Sequence, residues 1–252
     1  MNFVCVDFLK VFYSSKMSKL LIITPVKDSI ELTELTIRSV MNASYGVECE
    51  YVVYDDFSTP ENALVLDSLV DELGFRVIHL CDILDSPSPN YRFVLQHAQA
   101  RALETDSHLV IVESDVVVNT DTFTRLAAAV ADKVGMVASV TVDELGNINF
   151  PYLYARKWSR VDRVTSRRLS FCCTLLTNVF LHSYDFQLLN PKKNWYDVFI
   201  THISLRNGFR NMLLMTDAVV HRPHSSRPWK LLKYTNPIKY YWLKYTRGFD
   251  KI

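Results

Sequence analysis

Leu109–Asp115 reads Leu-Val-Ile-Val-Glu-Ser-Asp: four consecutive apolar residues followed at once by two carboxylates one residue apart. So short and so apolar a run fits a strand buried on both faces of a parallel sheet, which puts the acids at the rim where such strands end. Residues i and i+2 of an extended segment point the same way. Glu113 and Asp115 are therefore expected to face one hard cation, Mg2+ or Mn2+, of the kind that bridges phosphates. The same pair also reads as solvated acids at a strand end. Its company along the chain decides between the two.

Upstream, Leu20–Thr24 (LLIIT) is another short apolar run, and Glu50–Tyr54 (EYVVY) a third, ending in Asp55-Asp56. Between them Ile30, Thr33, Ile37, Val40 and Met41 recur at helical intervals, and Asp28 and Glu31 have the spacing of a capping box. Leu66, Leu69, Val70 and Leu73 mark a second helix, Phe75–Leu80 a strand, and Arg92–Glu104 a third helix. Downstream, Phe123, Leu126, Ala127 and Val130 share one helix face, and Met136–Val142 reads as a fifth strand. This alternation predicts an α/β domain with a mostly parallel open sheet covered by helices on both faces. Such sheets bind ligands at the carboxyl ends of their strands, which selects Pro25–Asp28, Asp55–Ser58 and Glu113–Asp115. After about residue 145 the alternation fails. Arg156–Arg168, with six Arg or Lys, reads as a mobile basic loop, either closing over phosphates or simply solvated at the surface. Leu169–Phe180 is expected to be a strand leading to a turn, Asp197–Asn207 a helix ended by Gly208, and Met212–Val220 a last strand.

The 252 residues, 49% hydrophobic, suffice for one sizeable core. The 28 basic residues nearly cancel the 27 acidic ones, so overall charge gives no argument for a nucleic-acid partner, and none is expected. Five cysteines, two of them adjacent at Cys172 and Cys173, fit free thiols better than a disulfide framework. A cytoplasmic protein is expected, at most lying against the inner face of the membrane. The first residues lack the frame of a signal peptide, and no stretch reaches the roughly 20 apolar residues of a spanning helix.

Five strand-end motifs occur in order: Thr24-Pro25-Val26-Lys27-Asp28, Tyr54-Asp55-Asp56-Phe57-Ser58-Thr59, Glu113-Ser114-Asp115, Tyr196-Asp197 and Ala218-Val219-Val220-His221. Together they resemble family 2 glycosyltransferases, whose pattern runs Pro-Val-x-Asn, Asp-Asp-Gly-Ser-Thr, Asp-x-Asp, a Glu-Asp pair opening a helix, and a strand into His. The resemblance implies a GT-A-type, Rossmann-like fold over residues 19–224. Its nucleotide-binding half would be 19–118 and its acceptor half 119–224, with an extension at 1–18 and another at 225–252. It implies that Thr24, Pro25 and Asp28 line a nucleoside pocket, and that Asp55 or Asp56 bonds the base. Asp115 would hold a divalent metal, Mn2+ or Mg2+, completed by His221. Glu113 would lie on the ribose or the metal, with Ser114 beside it in the donor site, and Asp197 would be the general base. The implied activity is inverting, non-processive transfer from a nucleotide-diphosphate sugar, UDP-linked in many relatives, to an acceptor hydroxyl of a glycan, a lipid-linked sugar or a protein, in glycan or cell-surface polysaccharide synthesis.

Departures from that pattern are Glu113 for the first aspartate, Phe57 for the glycine, Tyr196 for the first acid of the pair and Phe199 for a later acid. They keep open a second reading, a catalytically eroded nucleotide-sugar-binding protein of the same fold. A nucleotidyltransferase would carry a Gly-rich loop where Pro25-Val26-Lys27-Asp28 stands, and a dinucleotide enzyme a Gly-x-Gly-x-x-Gly after a strand; neither is present. Competing with His221 as a ligand is His224. Trp195 is placed to stack on an acceptor sugar. From Arg222 onward eight basic residues against the single acid Asp250, interleaved with aromatics, suit either peripheral contact with an anionic membrane or a packed flap.

Overall fold

The computed structural model describes residues 19–192, 195–222 and 236–247. The N-terminal extension, His224 and most of the C-terminal extension lie outside the described residues. Strands β1 (Lys19–Val26), β2 (Cys49–Asp55), β3 (Arg76–His79) and β4 (Ser107–Val112) alternate with helices α1 (Ile30–Met41), α2 (Pro60–Leu73) and α3 (Tyr91–Glu104). There follow β5 (Val116–Val117), α4 (Thr122–Ala128), β6 (Val134–Val142), β7 (Arg163–Thr165), β8 (Cys173–Leu176), α5 (Asn178–Ser183), α6 (Tyr196–Arg206), β9 (Arg210–His221) and α7 (Pro237–Arg247).

All nine strands form one sheet, in the order β3-β2-β1-β4-β8-β6-β9-β5, with β7 also pairing β9. β1 pairs in parallel with β2 and β4, β2 with β3, and β6 with β9. The remaining ladders are antiparallel, and together they are shorter. The expected mostly parallel α/β sheet is therefore present, with one insertion that periodicity does not disclose. β8 slots antiparallel between β4 and β6, which keeps those two strands from pairing directly.

Alternation along the strands explains why both faces need cover. Leu20 and Ile22 of β1 join Ile37, Val40, Leu66, Leu69, Phe123 and Leu126, so α1, α2 and α4 cover that face. Leu21 and Ile23 join Val94, Leu95, Ala98, Phe180, Leu181 and Ile200, placing α3, α5 and α6 on the other. Each such Leu, Ile, Val or Phe side chain removed from water contributes roughly 1.5–3 kcal/mol.

Several expectations change in detail. Asp28 does not cap α1: its N-cap is Ser29, in the left-handed region and with no side-chain cap bond. The Asp28 carboxylate instead accepts from Thr59 N at 2.9 Å and Asn62 Nδ2 at 3.1 Å, bracing the start of α2. The strand within Leu169–Phe180 is only Cys173–Leu176, because Thr177 caps the N-terminus of a short helix with its hydroxyl. The basic stretch 156–168 is tied down: β7 pairs β9, Arg156 Nε donates to Ile148 O, and Arg163 lies 4.8 Å over the Trp158 ring.

Candidate active site

Glu113-Ser114-Asp115 is a turn, not an extended segment. Val116 N donates to Glu113 O at 3.2 Å, closing an i to i+3 turn between β4 and β5. The two acids still converge, through different partners. Asp115 Oδ2 lies 3.4 Å from His221 Nε2, while Glu113 Oε2 accepts the Cys172 thiol at 3.0 Å. One ligand atom each from Glu113, Cys172 and His221 fall within 4.8 Å of one another. His221 is brought there by β9, whose end pairs antiparallel with β5 in the register Val116 to His221. Arg222 N, donating to Asp115 O at 2.9 Å, adds a further tie.

The imidazole is oriented from behind. Its Nδ1 lies 2.6 Å from Phe150 O, and a carbonyl can only accept, so Nδ1 carries the proton and Nε2 faces Asp115. Burial would lower the His221 pKa, but the Asp115 and Glu113 carboxylates outweigh it and raise it. Burial, then the Asp115 charge, raises Glu113. Burial and Glu113 push the Cys172 thiol well up, consistent with an S–H that donates. Two carboxylates and an imidazole nitrogen converging at the end of β4 form a donor set that fits a hard divalent cation, while the Cys172 S–H serves as a hydrogen-bond donor to Glu113.

Asp197 opens α6 and lies mostly buried. Its Oδ1 accepts from Val198 N at 2.8 Å. Its Oδ2 is gripped by Arg168, with Nε at 2.8 Å and a terminal guanidinium nitrogen at 2.7 Å. The Arg168 guanidinium lies 5.5 Å over the Trp195 ring and 5.8 Å over that of Phe150, the residue whose carbonyl orients His221. Tyr91 projects from α3 against Phe171 and Tyr196, and its hydroxyl is buried without a hydrogen-bond partner among the described residues. Burial and the charges of Glu113 and Asp197 raise its pKa well above the ordinary phenol value, so it lies within reach of both acids' fields.

The ends of β1 and β2 form a cross-braced rim. Lys27 Nζ donates to Phe57 O at 3.0 Å, and Asp28 N to Ser58 Oγ at 2.9 Å. The Thr59 N–H holds the Asp28 carboxyl below its usual range. Asp55, 1% exposed, accepts from Ser58 N and lies 2.8 Å from His79 Nδ1. Asp56 accepts from Ser88 Oγ, Asn90 N and Asn90 Nδ2. Thr24 is fully buried and takes the Tyr51 hydroxyl at 2.9 Å. Of the residues expected to touch a nucleoside, Thr24, Asp28, Asp55 and Asp56 are thus engaged inside the protein and Pro25 lies in β1 opposite Tyr54; base contact at Asp55 or Asp56 would use a second lone pair of an oxygen already bonded. Asp28, Ser29 and Phe57 all have φ between 48° and 62°. Left-handed backbone at residues other than glycine carries strain on the order of 1–3 kcal/mol each and gathers at functional sites.

Residues 21–185 match the sequence profile described as Glycosyl transferase family 2. The chain belongs to this family. No curated protein matches the sequence significantly. Among solved structures, S. aureus TarS 1–349 is similar with a TM-score of 0.61 at 17% identity, covering 86% of this chain and 64% of that one. GalNAc-T7, determined with UDP, GalNAc and Mn2+, gives 0.62 at 13% identity, over 83% of this chain and 44% of that one. Mannosyltransferase PcManGT from Pyrobaculum calidifontis, with GDP-Man and Mn2+, gives 0.55 at 14%, over 88% and 63%. This family 2 chain therefore shares the GT-A fold of these enzymes and spans less than two thirds of the length of each.

Within that fold Glu113, Asp115 and His221 come together, and Asp197 stands at the opening of α6 as its motif implied. Ser114 sits at the turn between the two acids. Three participants were not picked out from the sequence. Cys172 carried only a redox reading, Arg168 was one of six cations in its stretch, and Tyr91 belongs to no motif. None differs in spacing from its neighbours, so no signal in the chain marks it.

Proposed function

We propose that the protein transfers a sugar from a nucleotide-diphosphate donor, probed first as a UDP-sugar, to an acceptor hydroxyl with inversion, non-processively, in glycan or cell-surface polysaccharide synthesis. What supports the reading is the convergence of Asp115, Glu113 and His221 at the end of β4, with Asp197 at the head of α6. A divalent cation, Mn2+ or Mg2+, bound by Asp115 and His221 would neutralise the negative charge that develops on the leaving diphosphate. The acceptor oxygen forms its bond to the anomeric carbon as the bond from that carbon to the β-phosphate oxygen breaks. That electron pair leaves on the diphosphate, and the acceptor proton passes to Asp197. Displacement from the face opposite the leaving group inverts the anomeric centre. Asp197 must first exchange Arg168 for the acceptor hydroxyl on Oδ2. Thr24, Pro25, Asp28, Asp55 and Asp56 shape the nucleoside end of the donor site, and Trp195 offers a ring face to an acceptor sugar.

The test is a thermal-shift screen of UDP- and GDP-sugars with and without Mn2+, followed by product analysis. The expected result is stabilisation that requires the metal. Asp115→Asn should abolish both the shift and transfer. Asp197→Asn should keep the shift and lose transfer by about 10²- to 10⁴-fold, the usual worth of a general base. Full activity in either variant would remove that residue from its role.

The Arg168 grip on Asp197 and the internal partners of Asp55 and Asp56 favour a second reading, a nucleotide-sugar-binding protein that has lost turnover. Metal-dependent stabilisation without donor hydrolysis or transfer to any acceptor would establish it.

A further inference from the structure

Helix α7 (Pro237–Arg247, PIKYYWLKYTR) carries no acid. It lies in the segment from Arg222 to the chain end, where eight basic residues face one acid, although the whole chain balances 28 against 27. Positive charge is thus concentrated here, and the preceding chain is net acidic. Pro237 is the first helical residue, where a missing N–H leaves no bond unmade.

The helix is two-sided. Tyr240 is buried, 5% exposed. Ile238, Tyr241, Trp242 and Tyr245 are 84%, 48%, 60% and 75% exposed. Their spacing of i, i+3, i+4 and i+7 gathers them within about 50° of one direction at 3.6 residues per turn. Lys239 and Lys244 then fall about 110° to either side of that stripe, and Tyr240 on the far side. An exposed stripe of two tyrosines, a tryptophan and an isoleucine is not the ordinary surface of a helix in water.

We propose that α7 lies flat on an anionic lipid surface, its Ile238-Tyr241-Trp242-Tyr245 stripe in the interfacial layer and Lys239 and Lys244 on headgroup phosphates. Tyrosine and tryptophan suit this depth because each has an apolar body and a polar tip that stays hydrated. The flanking lysines have the reach to leave the apolar layer and meet anionic headgroups. At about 16 Å the helix is far too short to cross a hydrocarbon core of about 30 Å, and among the described residues no helix is long and apolar enough to do so. A second copy of α7 is a poor occupant, because pairing two acid-free helices sets lysines against lysines. This inference does not depend on the catalytic assignment.

The test is co-sedimentation of the full chain with vesicles of phosphatidylcholine alone or with added phosphatidylserine, at low and high salt, alongside Trp242 fluorescence. Wild type should partition on the order of tenfold more strongly onto the anionic vesicles, and high salt should reverse the preference. Emission should shift to the blue on binding, and Trp242→Phe should remove that shift. Lys239→Glu/Lys244→Glu should lower partitioning by on the order of tenfold or more. Tyr241→Ser/Trp242→Ser/Tyr245→Ser should abolish it even at low salt. Unchanged thermal unfolding and an unchanged thermal shift with nucleotide certify that the variants are folded. Equal partitioning onto both vesicle types, or binding indifferent to both sets of substitutions, overturns the proposal. So does a dimer in light scattering that the triple serine variant dissolves while wild type ignores vesicles.

Discussion

His79 bridges two carboxylates, with Nδ1 2.8 Å from Asp55 and Nε2 3.0 Å from Asp67. Burial alone would lower its pKa, but the two acids outweigh burial and raise it. A histidine whose folded pKa exceeds its unfolded value of about 6.5 adds stability below that value and loses it as pH rises through the folded pKa. His79→Gln should therefore unfold at lower temperature than wild type in mildly acidic buffer, and the gap in Tm should narrow as pH rises. A gap that widens with pH would contradict the bridge. Tyr91 makes the opposite case. A buried hydroxyl that finds no partner among the described residues carries a penalty of roughly 1–3 kcal/mol, which Tyr91→Phe removes. Its Tm should rise by about 2–4 °C per kcal/mol relieved, read by thermal denaturation without ligand. At this scale the sequence showed which residues carry charge but not their pairing. Arg168 reaches Asp197 across 29 positions, and Cys172 reaches Glu113 across 59.

At the scale of elements, apolar runs were legible because burial on both faces demands them. Leu20–Thr24 and Leu109–Val112 fall inside β1 and β4. What followed each run was less legible. Turn geometry depends on a few dihedral angles and on distant partners: Thr36 Oγ1 accepts Val116 N and holds the turn that brings Asp115 to His221. Phe57, which stands where the family pattern has glycine, has a left-handed backbone at φ 62°. Gly135 shows a constraint that spacing cannot reveal. A Cβ there would collide with Ser204 Oγ and stand 2.8 Å from Phe209 Cβ, where β6 meets the end of α6. Gly135→Ala should destabilise by about 1–3 kcal/mol, measured by denaturant unfolding, because Ser204 Oγ can swing away only by giving up its bond to Asn211 Oδ1, and Phe209 Cβ only by shifting the backbone between α6 and β9. A loss below a few tenths of a kcal/mol would mean that the contact relaxes freely.

For the whole molecule, the α/β class and the face-covering helices followed from alternation, since both sheet faces had to be buried. The insertion of β8 and the return of β9 did not, because a strand's neighbours are set by long-range packing rather than by its own composition. The proposed donor site spans this architecture, so its occupancy should stabilise the fold as a unit. At about 100 times Kd, a nucleotide-sugar with Mn2+ should contribute about 2.7 kcal/mol. For a domain of this size that is a rise of about 5–11 °C in Tm, present only with both ligands.

The two-residue ladder between β5 and β9 also sets a schedule. The match to the family ends at residue 185, yet Asp197 and His221 follow it. Chains emerge from the ribosome N-terminus first. A nascent chain that already displays β1 to β4 still lacks Asp197 and His221. His221 can reach Asp115 only after residues 186–221 have followed the matched stretch off the ribosome, so the proposed metal site closes well after the segment by which its lineage is recognised.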